Sequence, residues 1–483
     1  MTMLSLAEAA QLITGATVHG DGATVFERIG TDSRTTGPGE LFVALKGERF
    51  DAHDFLSDVR ARGASAVLAS RLPEDWRSPA LVAPDTRAAL GELARGWRRR
   101  FALPLVAVTG SNGKTTVKEM IASIFAQAVG ESARLATAGN FNNDVGLPLT
   151  LLRLNAAHRL AVIEVGMNHP GETDVLAKIA LPTIALVNNA QREHQEFMAT
   201  VEAVALEHAS VIHALPAEGI AVFPADDAYA GIWRIAATGN RIVDFALEDA
   251  SQNGTAAGAA VRGVLEGNRL RVRTPAGAFE AALQVLGEHN ARNALAATAA
   301  AVAADVPLEA IARGLEAFTP VKGRLQTKRA IAGSLAGAAV IDDTYNANPD
   351  SMRAAIDVLA ASPAPRVLVM GDMGEVGDNG TQFHREVGAY ARERGIDALV
   401  ALGDATRESC AAFDAGAGSG AAQAGARHFE DVAALVEYLL QAGFGASATL
   451  LVKGSRFMRM ERVVEALTVQ SSPVVPGAAP RTH

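Results

Sequence analysis

Cysteine is almost absent from this chain: Cys410 is the only one in 483 residues. That excludes an intramolecular disulfide and any zinc site built from cysteines, and it accords with a reducing compartment. Aromatic residues are scarce, at 5%, so a core must be assembled largely from alanine, valine and leucine, of which there is enough for several α/β domains. No apolar run approaches the ~18 residues of a membrane span; the alanine-rich stretch Ala294–Ala304 is too short. Positive charge is in deficit. The formal net charge is −9, and the densest basic cluster, Trp97-Arg98-Arg99-Arg100, reads as a solvated helix end. No nucleic-acid partner is expected, although a local basic pocket for phosphates is compatible with this balance. Met1–Leu12 carries Glu8 and lacks the basic-then-apolar order of a signal peptide. A soluble, cytoplasmic protein is expected, and no internal repeat is found.

The length predicts about three domains of ~150 residues. A first block, 1–101, mixes short strands with helices; Leu41–Leu45 and Ala66–Ala69 read as strands. A second block, 102–322, carries apolar runs at Leu105–Val108, Leu160–Ile163, Ile184–Val187 and Ile220–Phe223, several of them separated by helical patterns. That is the signature of a mostly parallel sheet with crossover helices. Between Asn253 and Phe279, glycine alternates with Val, Leu and Arg, which predicts an inserted antiparallel hairpin. A third block, 323–470, has strands at Ala339–Ile341, Val367–Met370, Leu399–Leu402 and Leu450–Val452, several ending at Gly or Asp. It reads as a second, Rossmann-like doubly wound sheet, whose ligands gather at the carboxyl ends of the strands. The tail, 471–483, is rich in Pro, Gly, Ser and Ala and is expected to be disordered. The predicted class is α/β in three domains: small and mixed, then a mostly parallel sheet, then the Rossmann-like lobe.

The richest stretch is Thr109-Gly110-Ser111-Asn112-Gly113-Lys114-Thr115-Thr116. It follows the strand Leu105–Val108 and opens a helical pattern in which Val117, Met120, Ile121, Ile124, Phe125 and Ala128 mark a buried face. Strand, glycine loop, Lys-Thr and helix hold a nucleoside triphosphate, because exposed backbone N–H groups and the helix N-terminus surround phosphate oxygens with partial positive charge. Lys114 would reach the β- and γ-phosphates and the Thr115 hydroxyl a Mg²⁺ ion. The loop is shorter than the general pattern, with Val108 where a glycine is usual.

Other polar groups sit at strand ends. Glu164 closes the run Leu160–Ile163; it is either an exposed loop acid or, beside a P-loop, a Mg²⁺ ligand. Asn188-Asn189 follows the next strand with no guanine-reading Asn-Lys-x-Asp, and His194 beyond it is polar surface or a metal ligand. The run Ala138–Gly146, with Asn140, Asn142 and Asn143, fits tight turns and offers amides to a substrate. Asn290 could cap the alanine-rich helix, with Asn293 a turn later on the same face. Asp343 ends a strand, where it could bind a ribose hydroxyl, or initiate an Asx turn before Pro349.

Together these strings resemble the Mur ligase family, which builds the peptide stem of bacterial cell-wall precursors. Gly110–Thr116, Glu164, His194, His289-Asn290 with Asn293, Gly323-Arg324, Asp343 and Lys453-Gly454-Ser455 fall in that family's order over nearly the whole chain up to the tail. Thr31–Arg34, Phe50–Phe55, Ala138–Gly146, Tyr345–Pro349 and Gly371–Glu375 are similar to the branch that adds D-alanyl-D-alanine to a UDP-muramoyl tripeptide. The Asp-Asn-Pro-Arg string of diaminopimelate-adding members does not occur.

The resemblance implies a UDP-substrate-binding first domain, an ATPase second domain and a third that closes over both, acting with ATP and Mg²⁺ on small molecules as a monomer. It implies that Gly110 to Thr116, with Lys114 at the centre, bind ATP phosphates, and that Thr115, Glu164 and His194 serve metal. It further implies that Asn290 and Asn293 lie on the adenine side, and that Arg324 and Asp343 reach phosphate and ribose. Asp32, Ser33, Arg34, Lys46 and Gly47 match the uridine-nucleotide motif, while Asn140, Asn142, Asn143, Asn346, Lys453 and Ser455 are candidates for substrate contact. Lys114, Glu164, His194 and Arg324 form the expected catalytic set. One departure stands out: many members carry a carbamoylated lysine beyond the histidine, whereas here Val204–Ser210 has none. A second ion would then be held differently, for instance through Glu207 or His208. Rival readings are a folylpolyglutamate synthase, a P-loop kinase and a nucleotide-gated regulator.

Overall fold

The computed structural model describes residues 2–248, 258–415 and 425–468. Two compact units divide the chain. One comprises residues up to Ala190 with Ala205–Ala282 and Arg292–Ala317; the other comprises Gln191–Val204, Leu283–Ala291 and the chain from Phe318 onward.

In the first unit a sheet near the N-terminus runs in the order Thr17–His19, Ala80–Val82, Ala66–Ala69, Glu40–Val43, Arg28–Gly30, parallel except at the Thr17–His19 edge. Its helix Thr86–Arg98, capped by the Asp85 carboxylate, turns a buried face of Ala89, Leu90, Leu93 and Ala94 inward. Gly91 lets that helix approach Ile179 of the next layer, where an added Cβ would lie 2.8 Å from Ile179 Cδ1. Beyond it stands a fully parallel six-stranded sheet. Its order is Arg241–Ile242, Ile220–Val222, Ile184–Val187, Leu105–Thr109, Leu160–Glu164, Arg134–Ala136. The expected strands are there, and Leu105–Thr109 is central, with the chain proceeding first to one side of it and then to the other. That reversal is where such sheets open a crevice for ligands.

The helix after the central strand, Lys114–Val129, buries Val117, Met120, Ile121, Ile124 and Phe125. Each such side chain contributes about 1.5–3 kcal/mol on burial. It packs so closely on helix Leu308–Ala317 that a Cβ on Gly314 would fall 2.4 Å from Ile124 Cα, while Ser123 Oγ donates to Gly314 O at 2.7 Å. The expected hairpin is a three-stranded antiparallel ribbon, Val261–Glu266, Arg269–Thr274 and Gly277–Ala282, joined by a parallel fourth strand, Phe245–Leu247. Residues 253–257 of that expectation lie outside the described residues, as does the tail 471–483.

The second unit holds a six-stranded sheet, ordered Gln326–Arg329, Ala339–Asp343, Thr449–Lys453, Arg366–Gly371, Ala398–Leu402, Ala426–Phe429, parallel except for its first strand. Two apolar layers cover it. One gathers Met352, Ile356, Leu359, Leu368, Phe383 and Val387, the other Val340, Val369, Leu435, Leu439, Leu450 and Val464.

Candidate active site

At the carboxyl end of the central strand the chain turns through Gly110 at φ +134° and Gly113 at φ +82°. Both conformations suit glycine alone, and space forbids anything larger. A Cβ on Gly113 would meet Asn293 Oδ1 at 2.4 Å, and one on Gly110 would meet Asn188 Cβ at 2.9 Å. The loop is braced from the neighbouring strand. Asn189 Oδ1 accepts the Asn112 amide at 2.9 Å, Asn189 O accepts that of Ser111 at 3.1 Å, and Asn188 Nδ2 donates to Asn112 O at 2.8 Å and to Asn293 Oδ1 at 2.9 Å. Lys114 opens the following helix and curls its Nζ toward the Gly110 and Ser111 carbonyls; Thr116 is buried in the same turn. Asn188 and Asn189, sequence-silent beyond their strand-end position, are thus the struts of the loop, and only the pairing of two distant strands reveals it.

Thr115 Oγ1 donates to Glu164 Oε2 at 2.9 Å, and Asn142 Nδ2 donates to Glu164 Oε1 at 2.8 Å. Glu164 is almost fully buried at the end of its strand, which sets aside the exposed-loop-acid alternative. Behind it, the Glu164 amide donates to Thr137 Oγ1 at 3.0 Å, and the wholly buried Lys118 donates Nζ to Thr137 O at 2.9 Å and pairs with Glu119. A hydroxyl and a carboxylate side by side at a phosphate loop are hard oxygen donors that suit Mg²⁺, which takes its remaining ligands from phosphates and water. Of the other loop asparagines, Asn143 Oδ1 accepts the Gly146 amide at 2.8 Å just ahead of helix Gly146–Leu151, and Asn140 is exposed, its carbonyl accepting the Asn142 amide at 2.7 Å.

Two expectations for a second ion meet other engagements. Glu207 accepts the amides of Gly171 and Thr173 at 3.0 and 2.9 Å, at the N-terminus of helix Glu172–Ala180, where a carboxylate is favoured. His208 is fully buried with Nδ1 3.0 Å from Thr109 Oγ1. Asn290 also departs from expectation. The Gly287 carbonyl takes the first helical amides, so the helix starts at Glu288 and Asn290 lies inside its first turn, donating Nδ2 to Leu286 O at 2.8 Å. Asn293, by contrast, reaches the phosphate loop.

In the N-terminal sheet, Asp32, Ser33 and Arg34 follow strand Arg28–Gly30. Arg34 Nη2 sits 2.7 Å from Asp32 Oδ2, and that hydrogen-bonded guanidinium lowers the Asp32 carboxyl to about 2. Lys46 and Gly47 form a tight turn in which the Gly47 amide donates to Phe50 O at 2.8 Å and the backbone of Lys46 pairs antiparallel with that of Asp51. The Asp51 carboxyl is held well below its usual range, first by the backbone N–H of His53.

In the second unit, parallel pairing sets Asp343 opposite Lys453. Lys453 Nζ donates to Asp343 Oδ2 at 2.6 Å and to Asn346 O at 2.9 Å. Ser455 Oγ donates to Ala347 O and accepts the Gly374 amide at 2.7 Å. Asp343 Oδ1 accepts the Leu325 amide at 3.2 Å, and the Arg324 guanidinium lies 4.1 Å from the Tyr345 ring centre. Asp343, Asn346, Lys453, Ser455 and Arg324 therefore share one strand-end cluster. The cap before Pro349 comes from Asn348, whose Oδ1 accepts the Ser351 amide at 2.8 Å, so Asp343 starts no Asx turn there. His194, at φ +47°, also belongs to this unit, with Nδ1 2.8 Å from Glu375 Oε2.

A P-loop beside a buried carboxylate, followed along the chain by a Rossmann-like sheet, is the layout of ATP-dependent ligases, and comparison with known proteins agrees. Residues 25–98 match the Mur ligase family catalytic domain, 108–301 the Mur ligase middle domain and 323–456 the Mur ligase glutamate ligase domain. The chain belongs to the Mur ligase family. It is 39% identical to UDP-N-acetylmuramoyl-tripeptide–D-alanyl-D-alanine ligase of Haemophilus influenzae, over 97% of this chain and 99% of that protein. It is equally 39% identical to the ligase of that name from Escherichia coli, with the same coverage. Among solved structures it is similar to MurF from Acinetobacter baumannii, with TM-score 0.85, 35% identity and 96% and 98% of the two chains covered. A MurF from Thermotoga maritima in complex with ADP shares the fold at TM-score 0.76 and 24% identity, over 91% of this chain and 96% of that one.

Proposed function

We propose that this protein is an ATP-dependent, ADP-forming amide ligase that joins D-alanyl-D-alanine to a UDP-N-acetylmuramoyl tripeptide in peptidoglycan precursor synthesis. The observation that carries the reading is the braced phosphate loop with Thr115 and Asn142 holding Glu164, in a chain that aligns end to end with ligases of that name. Three functional segments follow: 1–101 for the uridine nucleotide, 102–322 for ATP and 323–470 for closure over the reacting groups. The protein works in the cytoplasm, as a monomer.

A carboxylate does not condense with an amine in water, so the terminal carboxylate of the tripeptide first attacks the γ-phosphorus of ATP. ADP leaves and an acyl phosphate forms. The loop amides and Lys114 bind the β- and γ-phosphates and offset charge on the transferring group. Lys114 must leave the loop carbonyls to do so. Thr115 and Glu164 are the residues that would hold Mg²⁺, with His194 serving metal from the other unit; the ion supplies Lewis-acid neutralisation of phosphate charge when bound. Arg324 adds positive charge, Asn290 and Asn293 stand on the adenine side, and Asp343 receives the ribose. Asp32, Ser33, Arg34, Lys46 and Gly47 take the UDP end. The amine of D-alanyl-D-alanine then attacks the acyl carbon and phosphate departs with the carboxylate oxygen. Exclusion of water protects the acyl phosphate meanwhile.

Incubation with ATP, Mg²⁺, UDP-muramoyl tripeptide carrying ¹⁸O in its terminal carboxylate, and D-alanyl-D-alanine tests both steps. The expected result is the pentapeptide by mass and one ¹⁸O in the released phosphate. Unlabelled phosphate would rule out the acyl phosphate, and no pentapeptide would rule out the activity. A folylpolyglutamate synthase would instead turn over with folate and glutamate.

A further inference from the structure

The helix behind the phosphate loop carries a second lysine, Lys118, one turn beyond Lys114 and on the same face as Lys114 and Thr115. Its side chain is completely buried, a place that lysine almost never takes unless its charge and N–H groups are engaged. Nζ pairs with the partly exposed Glu119 carboxylate and donates to the Thr137 carbonyl at 2.9 Å. Thr137 follows strand Arg134–Ala136, which runs parallel to Leu160–Glu164. Its amide keeps to the ladder, donating to Val162 O at 3.2 Å. The next rung of a regular parallel ladder would bring the Glu164 amide to the Thr137 carbonyl. Instead the Thr137 hydroxyl accepts that amide at 3.0 Å, and the carbonyl is turned to Lys118. From there the chain leaves the sheet as the run Ala138–Gly146, and Asn142 comes back to the Glu164 strand end. Its Nδ2 donates to Glu164 Oε1 at 2.8 Å, and its carbonyl accepts the Gly166 amide at 2.8 Å. A Cβ on Gly166 would lie 2.9 Å from that carbonyl oxygen, so the return has no slack.

We propose that Lys118 is a positioning residue for the metal-binding carboxylate. By holding the Thr137 carbonyl it turns the Thr137 hydroxyl onto the Glu164 amide and fixes where the Ala138–Gly146 run begins, so that Glu164 is presented to Thr115 with its other oxygen held by Asn142. Packing alone does not call for a cation at this place. A methionine would fill similar space without desolvating a charge, and a buried ion pair adds little to stability over well-packed apolar side chains. What the ammonium group adds is a directed donor to one carbonyl. The assignment rests on the reading of Glu164 as a Mg²⁺ ligand.

The test compares Lys118→Met, the pair Lys118→Met with Glu119→Gln that leaves no unpartnered carboxylate, Glu119→Gln alone, Thr137→Val and Glu164→Gln. Four readouts are taken on the full chain: hydrogen exchange of the Glu164 amide, ADP affinity without metal, Mn²⁺ affinity in the presence of ADP by electron paramagnetic resonance, and the Mg²⁺ concentration giving half-maximal rate. Mn²⁺ serves as the probe because it takes the same oxygen ligands as Mg²⁺. For Lys118→Met, alone or paired, Mn²⁺ affinity should fall and the Mg²⁺ requirement rise about 10–100-fold, the range seen when a group orienting a metal ligand is lost. The Glu164 amide should exchange at least about 10-fold faster. Metal-free ADP affinity should stay within about 2-fold, since the phosphate loop is intact. Glu119→Gln should leave metal affinity within about 3-fold, because the bond to Thr137 remains. Thr137→Val should weaken metal binding as Lys118→Met does, and combining the two should cost little more, because both act through one residue. Wild-type metal affinity and exchange in the Lys118→Met proteins would overturn the proposal, as would losses in Lys118→Met and Thr137→Val that multiply in full. If Glu164→Gln binds Mn²⁺ as tightly as the unaltered protein, the metal role of Glu164 is wrong, and the exchange of its amide in Lys118→Met still decides whether Lys118 positions it.

Discussion

Both six-stranded sheets present polar loops at the carboxyl ends of parallel strands, yet they prepare for ligands in opposite ways. In the central sheet the strand Leu105–Thr109 runs into glycines at positive φ, with Lys114 opening the helix that follows. In the C-terminal sheet the strands Ala339–Asp343 and Thr449–Lys453 end in side chains of opposite charge that satisfy each other. The first loop is built from conformations only glycine adopts, and a loop of that kind at a helix N-terminus suits an anion. The second is closed on itself by a largely buried ion pair, which a ligand must compete with or extend. The same fold rule thus yields a receptor in one place and a latch in the other, and the choice between them lies in residue type at the strand end.

The sharpest way to break this contrast is Lys114→Ala. Its Nζ donates to the Gly110 and Ser111 carbonyls; on the proposed phosphate role kcat should fall about 10³-fold, near the upper range for removing one donor to a developing charge, with Tm moving by no more than about 2 °C. Steady-state rates and a thermal melt together check it. The latch should behave in reverse. Lys453→Ala strands Asp343 in a largely buried site and should cost about 3 kcal/mol of C-terminal stability, read by urea denaturation; equal losses for Lys114→Ala would erase the distinction. Asn142→Ala probes the support beneath the receptor. Loss of its hydrogen bond to Glu164 should raise the Mg²⁺ requirement about 10-fold or more with little change in folding.

The most gradual expected effect is a pH dependence within the latch. Burial pushes the His289 imidazole down to about 4, with nearby Asp343 opposing and Lys453 assisting. The unfolded chain takes its proton near pH 6.5 and the folded one does not. Stability should therefore be indifferent to this group above about pH 6.5 and fall by up to about 1.4 kcal/mol per pH unit between about 6.5 and 4. His289→Gln should flatten that segment of the stability curve. An NMR titration placing His289 near 6.5 would refute the burial.

Much of this was legible in one dimension. The apolar runs that became the inner strands were plain because a strand covered on both faces is a continuous hydrophobic stretch. The phosphate loop was plain because its glycines, lysine and threonine are contiguous. The short edge strands Arg134–Ala136, Arg241–Ile242 and Gln326–Arg329 gave no such signal, since they are brief and partly exposed. Asn290 was misjudged as a cap because its side chain suits one, whereas the Gly287 carbonyl fills that position.

From residue order alone came the local pattern: a glycine loop of the phosphate-binding kind, a carboxylate at a strand end and a family pattern stretching to the tail. Those are local, because backbone conformation and side-chain type are properties of neighbours in the chain. Tertiary structure decided the partnerships, among them Asn188 with Asn293, Lys453 with Asp343 and Arg192 with Asp350. Each joins residues more than a hundred positions apart, and hydrogen bonds and ion pairs depend on ångström distances that only packing of the strands and helices can set.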